Sequence, residues 1–290
     1  MGDARGGLQQ RPHAGGHRRP VPARGARRAP PGARPHPARP EPVERGLRGG
    51  ARVPRARDGL PRRPSGELLR AVLDGVRLEI SPEAVVLASP EPLAVASTAA
   101  VNGGLGQARA IVNLHVDRNH PCGDPAGQVA VYARARGLPA PWVGLLTAAL
   151  TADAEVGRAR AATTSAMAVV TVGLSNPVAA GLDPRPRGAR EAGTINVIVV
   201  VDADPAPPAL LNAMLAVTEA KALALFEAGI VCDDGSPATG TSTDAVVIAA
   251  TRGGIPHEFG GPATELGWCV ARAARAALAP AIARWKGAHP

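Results

Sequence analysis

The residues whose types and spacing could do chemistry sit at the borders of apolar runs, and most carry hydroxyl, carboxamide or carboxyl groups. The densest cluster is Ala238-Thr239-Gly240-Thr241-Ser242-Thr243-Asp244, which leads directly into Ala245-Val246-Val247-Ile248-Ala249. Four hydroxyls and a carboxylate, with Gly235 and Gly240 admitting close backbone approach, suit an oxyanion or phosphate cradle, or a nucleophile site. The G-x-x-x-x-G-K-[ST] of a nucleotide-binding loop is missing, so ATP hydrolysis is not expected.

Other polar groups punctuate the chain in the same way. Asn102, Gly103 and Gly104 end a run in a tight turn where backbone amides could meet a ligand, although any hairpin can end in Asn-Gly. Asn113 and Asn196 lie inside apolar runs, where an unpaired carboxamide costs about 1–3 kcal/mol, so each needs a partner from the protein or from a ligand. His115, two residues beyond Asn113, shares its strand face. Thr147 and the Thr171-Val172-Gly173-Leu174-Ser175-Asn176-Pro177 stretch repeat one theme, a hydrophobic strand running into polar residues. Ligands of α/β sheets collect at such ends, though a plain turn at Asn176 reads equally well. Within Thr218-Glu219-Ala220-Lys221, helix geometry points Glu219 and Lys221 about 200° apart, so they cannot both face one substrate. Glu219 is the better candidate for a buried carboxylate and Lys221 for a solvated or paired group. His257 is the imidazole beside the start of a predicted helix, where free amides favour anions. His257-Glu258 is not part of H-E-x-x-H, since position 261 is glycine, and a zinc protease is rejected.

The elements that must position these groups alternate between short strands and two long helices. Residues 67–73 read as a short helix and 76–80 as a half-buried strand. Two further short strands are expected at 85–87 and 93–96, and buried strands at 110–116, 143–146, 166–172 and 195–201. A helix over Pro207–Glu227 opens on two prolines and stops at Gly229, and a second spans about 262–286. The expected fold class is α/β, a single domain with a mixed β-sheet packed by helices.

Composition separates that domain, residues 66–290, from what precedes it. Residues 1–65 hold 16 of the 31 arginines and 12 of the 30 prolines but four acids, about +12, whereas the whole chain carries +9. Such a segment buries too little apolar surface to offset its ordering entropy, and a disordered basic extension is expected. It has no aromatic residue for base stacking, and aromatics are 2% of the chain, so nucleic acid is not an expected partner. No apolar run approaches the ~20 residues of a membrane span and no signal core opens the chain; neither membrane nor export is expected, and the protein should be cytoplasmic. Cys122, Cys232 and Cys269 are widely spaced, without C-x-x-C, and suggest neither disulfide nor zinc.

Taken in order, these motifs resemble the adenosylcobinamide amidohydrolase family of corrinoid salvage. The matching stretches are Asn102-Gly103-Gly104, Asn113, Val143-Gly144-Leu145-Leu146-Thr147-Ala148-Ala149, Thr171 to Asn176, Gly193-Thr194-Ile195-Asn196, Thr218-Glu219-Ala220-Lys221, Ala238 to Asp244 and Gly260-Gly261-Pro262. Residues 1–65 have no counterpart in it, and Ser242 stands where glycine is expected. The resemblance implies hydrolysis of the amide between a corrin propionate side chain and 1-amino-2-propanol, giving adenosylcobyric acid. The corrinoid would be the substrate, with no separate cofactor or metal, and a homo-oligomer is left open. The alternative is a corrinoid-binding or carrier protein without hydrolysis.

Amide hydrolysis needs an activated nucleophile, oxyanion donors and an acid for the leaving amine. Asp244 or Glu219 is expected to activate water, or the hydroxyl of Thr241 or Thr243, and His257 to protonate the amine. Asn102, Gly103, Gly104, Asn113, Thr147, Asn176, Asn196, Thr239 and Gly240 are the expected substrate-binding positions.

Overall fold

Valine-rich runs with no polar face must be buried on both sides, and the computed structural model shows how. It describes residues 68–73, 75–118, 123–182 and 193–289. The expected basic extension, residues 1–65, lies outside these, as does Cys122.

The described residues open with β1 (Leu68–Leu73), β2 (Val76–Ile80), β3 (Ala84–Ser97) and β4 (Gly104–His115). Next come α1 (Pro125–Ala135), β5 (Trp142–Thr147), β6 (Glu155–Arg160), β7 (Ser165–Val172) and β8 (Pro177–Val178). The remainder is β9 (Ile195–Asp202), β10 (Asp204–Pro205), α2 (Pro207–Glu227), β11 (Gly240–Thr241), β12 (Ala245–Ala250), β13 (Pro256–His257) and α3 (Glu265–Ala288). Nine strands form one mixed sheet in the order β1-β2-β3-β12-β9-β7-β6, with β4 paired to β3 and β5 to β4. The α/β class with a mixed sheet packed by helices is therefore correct.

Three local expectations change. Residues 68–73 are a strand, β1, because Leu73 pairs with Val76 and β2 supplies its hydrogen bonds. The two short strands expected at 85–87 and 93–96 are halves of β3, which continues through an irregularity between Ala88 and Leu93. The helix at residues 125–135 has no counterpart among the expected elements. The α2 expectation matches its observed span, Pro207–Glu227.

The irregularity in β3 lets one sheet serve as two layers. Along β9, Val197, Val199 and Val201 join the core beneath α2 and α3, while Ile198 and Val200 join a second core with Leu87, Ile111 and Leu145 of β3, β4 and β5. A strand presents alternate residues to opposite faces, so the β12-β9-β7-β6 part lies between the helices and the β2-β3-β4-β5 part. Val112 of β4 faces outward instead and packs with Val129 of α1. Helix, sheet, sheet and helix thus form four layers, and Asn113, Thr171 and Asn196 sit at one open end of the inner pair.

By length and apolarity α2 could cross a membrane, with mean hydropathy 1.5, a reading that the expected absence of such a run did not anticipate. Half of that stretch is buried, and nine α2 residues from Ala209 to Leu225 pack into the protein as a core helix does.

Candidate active site

Strand direction decides which polar groups can meet. β7 ends where β9 and β12 begin, since β7 is antiparallel to β9 and β9 parallel to β12, and the ends of the parallel pair β4 and β5 meet the same edge through Asn196, which bonds to Asn113 and Leu146. Asn113, Thr147, Thr171, Asn196 and Asp244 therefore collect at one edge. Asn113, Thr171 and Asn196 share the strand parity of Ile111, Val169 and Ile198, so they close the mouth of the core between the two sheet layers. Asp244, one residue before Ala245, has the opposite parity and faces α2.

The groups form a continuous hydrogen-bond network. Asn196 Nδ2 donates to Asn113 Oδ1 (2.8 Å) and to Leu146 O (2.9 Å), and Asn113 Nδ2 donates to Thr171 Oγ1 (3.0 Å). Thr194 Oγ1 reaches both Asn196 Oδ1 (3.3 Å) and Thr243 O (2.8 Å). At 2% and 1% exposed, Asn113 and Asn196 have exchanged water for each other, which meets the requirement that buried carboxamides be paired. Both amide protons of Asn196 are spent inside the protein, so its present arrangement supports the edge and does not offer a donor to substrate.

Asp244 is the centre of the second half of the network. Its Oδ1 accepts from Ile195 N (2.9 Å) and lies 2.5 Å from Thr241 Oγ1, while Oδ2 accepts from Thr241 N (3.1 Å) and from the ammonium of Lys221. Four donors use the lone-pair capacity of one carboxylate. The side chains of Lys221 and Asp244 are 8% and 10% exposed, so this ion pair is desolvated on both sides. Gly240 makes room for it: a Cβ there would lie 2.4 Å from Asp244 Oδ2 and 2.8 Å from Lys221 Nζ. The Thr241 hydroxyl also lies 3.1 Å from Gly193 O, as does that of Thr243, and its one proton can go to only one acceptor at a time.

The remaining expected residues divide. Thr147 is buried and its Oγ1 accepts from Ala149 N (3.0 Å), at the same edge. Asn176 Nδ2 donates to Ser242 Oγ (2.6 Å), and Thr239 Oγ1 accepts from Ala180 N (2.9 Å), so both fasten the 239–244 loop to the turn after β7. Asn102, with φ +54°, and Gly104, with φ +102°, form an exposed turn with Gly103 that leaves β3 near Val246. The Asn102 amide, however, donates to Trp142 O (2.7 Å), at the far end of β5 from Thr147, five residues or about 17 Å away.

Glu219 and His257 are corrections. Glu219 is exposed on the outer face of α2, and it is Lys221 on the opposite face that is buried against Asp244. The 200° separation is right, but the helix presents its other side to the sheet. His257 lies in β13, paired with β10 beyond the C-terminal end of β9, with its Nε2 3.2 Å from Thr164 Oγ1. The length of β9 alone puts it roughly 20 Å from Asp244.

Lys221, expected to be a solvated or paired group, is paired, and what the sequence did not indicate is its burial against Asp244 within the site. His115 is an imidazole at this edge, with Nδ1 3.0 Å from Ala149 O, a contact that needs a proton on Nδ1. It lines two adjoining hollows of about 990 and 520 Å³, the first walled by Val131 and Tyr132 of α1 and the second by Ala148 and Leu150. Burial raises the pKa of the Tyr132 phenol. A smaller pocket of about 280 Å³ shares Arg118, Ala148 and Leu150 with the second hollow and reaches Gly193. Together they make a groove along the mouth, ending beside the carbonyl that receives the Thr241 and Thr243 hydroxyls. Among the described residues no group of three or more His, Cys, Asp or Glu is placed to hold a metal ion.

A hydroxyl held by a buried, ion-paired carboxylate beside a groove is an arrangement suited to acyl transfer, and the comparisons bear on which kind. The family model described as adenosylcobinamide amidohydrolase matches residues 70–290. The chain belongs to the adenosylcobinamide amidohydrolase family. The adenosylcobinamide amidohydrolase of Methanosarcina mazei is 34% identical over 149 residues, 51% of this chain and 66% of that protein. Its counterpart from Halobacterium salinarum is 36% identical over 117 residues, 37% of this chain and 48% of that protein. The alignments thus span about two thirds and about half of these family members. Among solved structures, a Burkholderia sp. beta-aminopeptidase aligns over 70% of this chain and 79% of its own at 14% identity and a TM-score of 0.38, too slight a likeness to add to the family assignment.

Proposed function

We propose that this protein hydrolyses the amide joining 1-amino-2-propanol to the corrin propionate of adenosylcobinamide, releasing adenosylcobyric acid for cobalamin salvage in the cytoplasm. The corrinoid is the substrate and no separate cofactor is invoked. Family membership supports the substrate class. The observation that carries the reaction is Thr241 Oγ1 at 2.5 Å from an Asp244 carboxylate that Lys221 neutralises in a desolvated setting.

With its four donors in place, Asp244 has no free lone pair for a water molecule, so the arrangement favours the Thr241 hydroxyl over direct activation of water. As Thr241 Oγ1 bonds to the amide carbon, its proton passes to Asp244, and Lys221 remains to hold the carboxyl in place. Collapse of the tetrahedral species breaks the C–N bond, and the leaving amine takes the proton that Asp244 accepted, which restores the carboxylate. His115, at the site's own edge, is better placed than His257 to meet that amine. Water then hydrolyses the Thr241 ester and restores the hydroxyl. The open hollows along the mouth accommodate the macrocycle.

Incubation with adenosylcobinamide tests the reading: aminopropanol is released by the wild type and not by Thr241→Ala. A mass increase equal to the corrinoid acyl group, trapped on acid quench, marks the ester. Tight corrinoid binding without release would make the protein a carrier instead.

A further inference from the structure

The pocket of about 280 Å³ at the end of the groove is too small for a macrocycle and differs in chemistry from the open hollows. Its walls include Trp285 and His289 near the end of α3, whose rings are stacked with centroids 4.4 Å apart and planes 10° from parallel. Ala281, Ala288 and Val172 keep the space beside the stack free of bulk. Two arginines reach it, but Arg284 is committed to Glu155 through Nε (3.1 Å) and a terminal nitrogen (2.5 Å), and the lining that includes Arg118 also holds the Asp153 carboxylate. With its charges matched, the lining offers no excess positive field for a phosphate. A flat, neutral, aromatic group carrying hydroxyls is what such walls accept.

We propose that this pocket takes the adenosyl group of the substrate, with the adenine extending the Trp285–His289 stack and the ribose hydroxyls meeting Asp153 and Arg118. The assignment rests on the corrinoid reading above. It makes the last turns of α3 the element that distinguishes adenosylated corrinoids from those with a small upper ligand. Gly193 lines the same pocket and its carbonyl lies 3.1 Å from Thr241 Oγ1, so a nucleoside seated here fixes the ring relative to the hydroxyl.

The test uses 5′-deoxyadenosine as probe and the full-length protein. Calorimetric titration should show binding to the wild type, weakened roughly 5- to 100-fold in Trp285→Leu, the range expected for losing one base–aromatic stack. Ala288→Phe, at an exposed helix position that fills the pocket without removing a core contact, should weaken it equally. In parallel, both variants should raise KM for adenosylcobinamide by a similar factor while leaving KM for dicyanocobinamide unchanged. Absence of nucleoside binding to the wild type, unaltered binding in both folded variants, or an equal rise in KM for the two corrinoids would overturn the assignment. Failure of the wild type to hydrolyse either corrinoid defeats the proposed reaction, while the titration still decides whether the pocket binds a nucleoside.

Discussion

The two ends of the β9–β12 strand pair carry nearly the same residue types and do different things with them. At the N-terminal end are Thr241, Asp244 and Lys221; at the C-terminal end are Thr163, Thr164, His257 and Glu265. Glu265 Oε1 accepts from Thr163 N (2.6 Å), Thr163 Oγ1 (2.9 Å) and Thr164 N (3.0 Å). Those hydrogen bonds from Thr163 hold its carboxyl below the usual carboxylate range, with smaller help from Thr164 and the nearby imidazole. This is a helix-start clamp, placed where α3 begins and close to water. The first end joins both sheet layers and a helix around groups that have lost water, and desolvation makes their mutual interactions strong. Residue type proposes a site; convergence and burial decide it.

That contrast can be broken by substitution, beginning where the effect is largest. Asp244→Asn should lower kcat by about 10²–10⁴-fold, the usual contribution of a positioned proton acceptor, as followed by aminopropanol release. Next, Lys221→Met leaves the Asp244 carboxylate without its cation in a desolvated place and should cost about 3–5 kcal/mol in denaturant unfolding. Because that cost arises from an unpaired charge, the Lys221→Met, Asp244→Asn double variant should recover most of it while remaining inactive. If the double variant is as unstable as the sum of the singles, the pair is not coupled as described.

Smaller effects follow from neutral partners and from the opposite end. Asn113→Ala strands one amide proton of Asn196 and should destabilise by about 1–3 kcal/mol, with less effect on turnover than on unfolding. Glu265→Gln should matter at neutral pH and lose its effect in acid. The stability from this depressed carboxyl is present above its unfolded pKa and disappears as pH falls through the folded one, so the two unfolding curves should converge below the normal carboxylate range. Glu219→Ala and His257→Ala should leave kcat unchanged, in contrast to every substitution at the first end.

How far the sequence foretold this follows from the same physics. Continuous valine runs and Pro-opened, Gly-closed α2 were legible because local pattern and tertiary role agree there. β1 was misread as helix although Asp74-Gly75 between two runs is a hairpin signal, since short leucine-rich segments do not distinguish the two periods. α1 was overlooked although Asp124, whose carboxylate caps Gly127 N at 2.8 Å, precedes Pro125 at the helix start. For α2 the wrong face was chosen, because Leu211, Leu215, Leu223 and Phe226 leave its outer side apolar too. A lysine ranks as solvated by type, and only the Asp244 carboxylate, brought from residue 244 by sheet pairing, reverses that ranking. Sheet order likewise separates His257 from Asp244, although they are thirteen residues apart in the chain.

The most direct measurement is aminopropanol release from adenosylcobinamide by wild type and Asp244→Asn, each verified as folded and corrinoid-binding. Turnover in the first with loss of at least about 100-fold in the second is expected from a carboxylate that accepts the Thr241 proton. Equal rates in the two proteins would contradict the assignment of this end of the sheet as the active site.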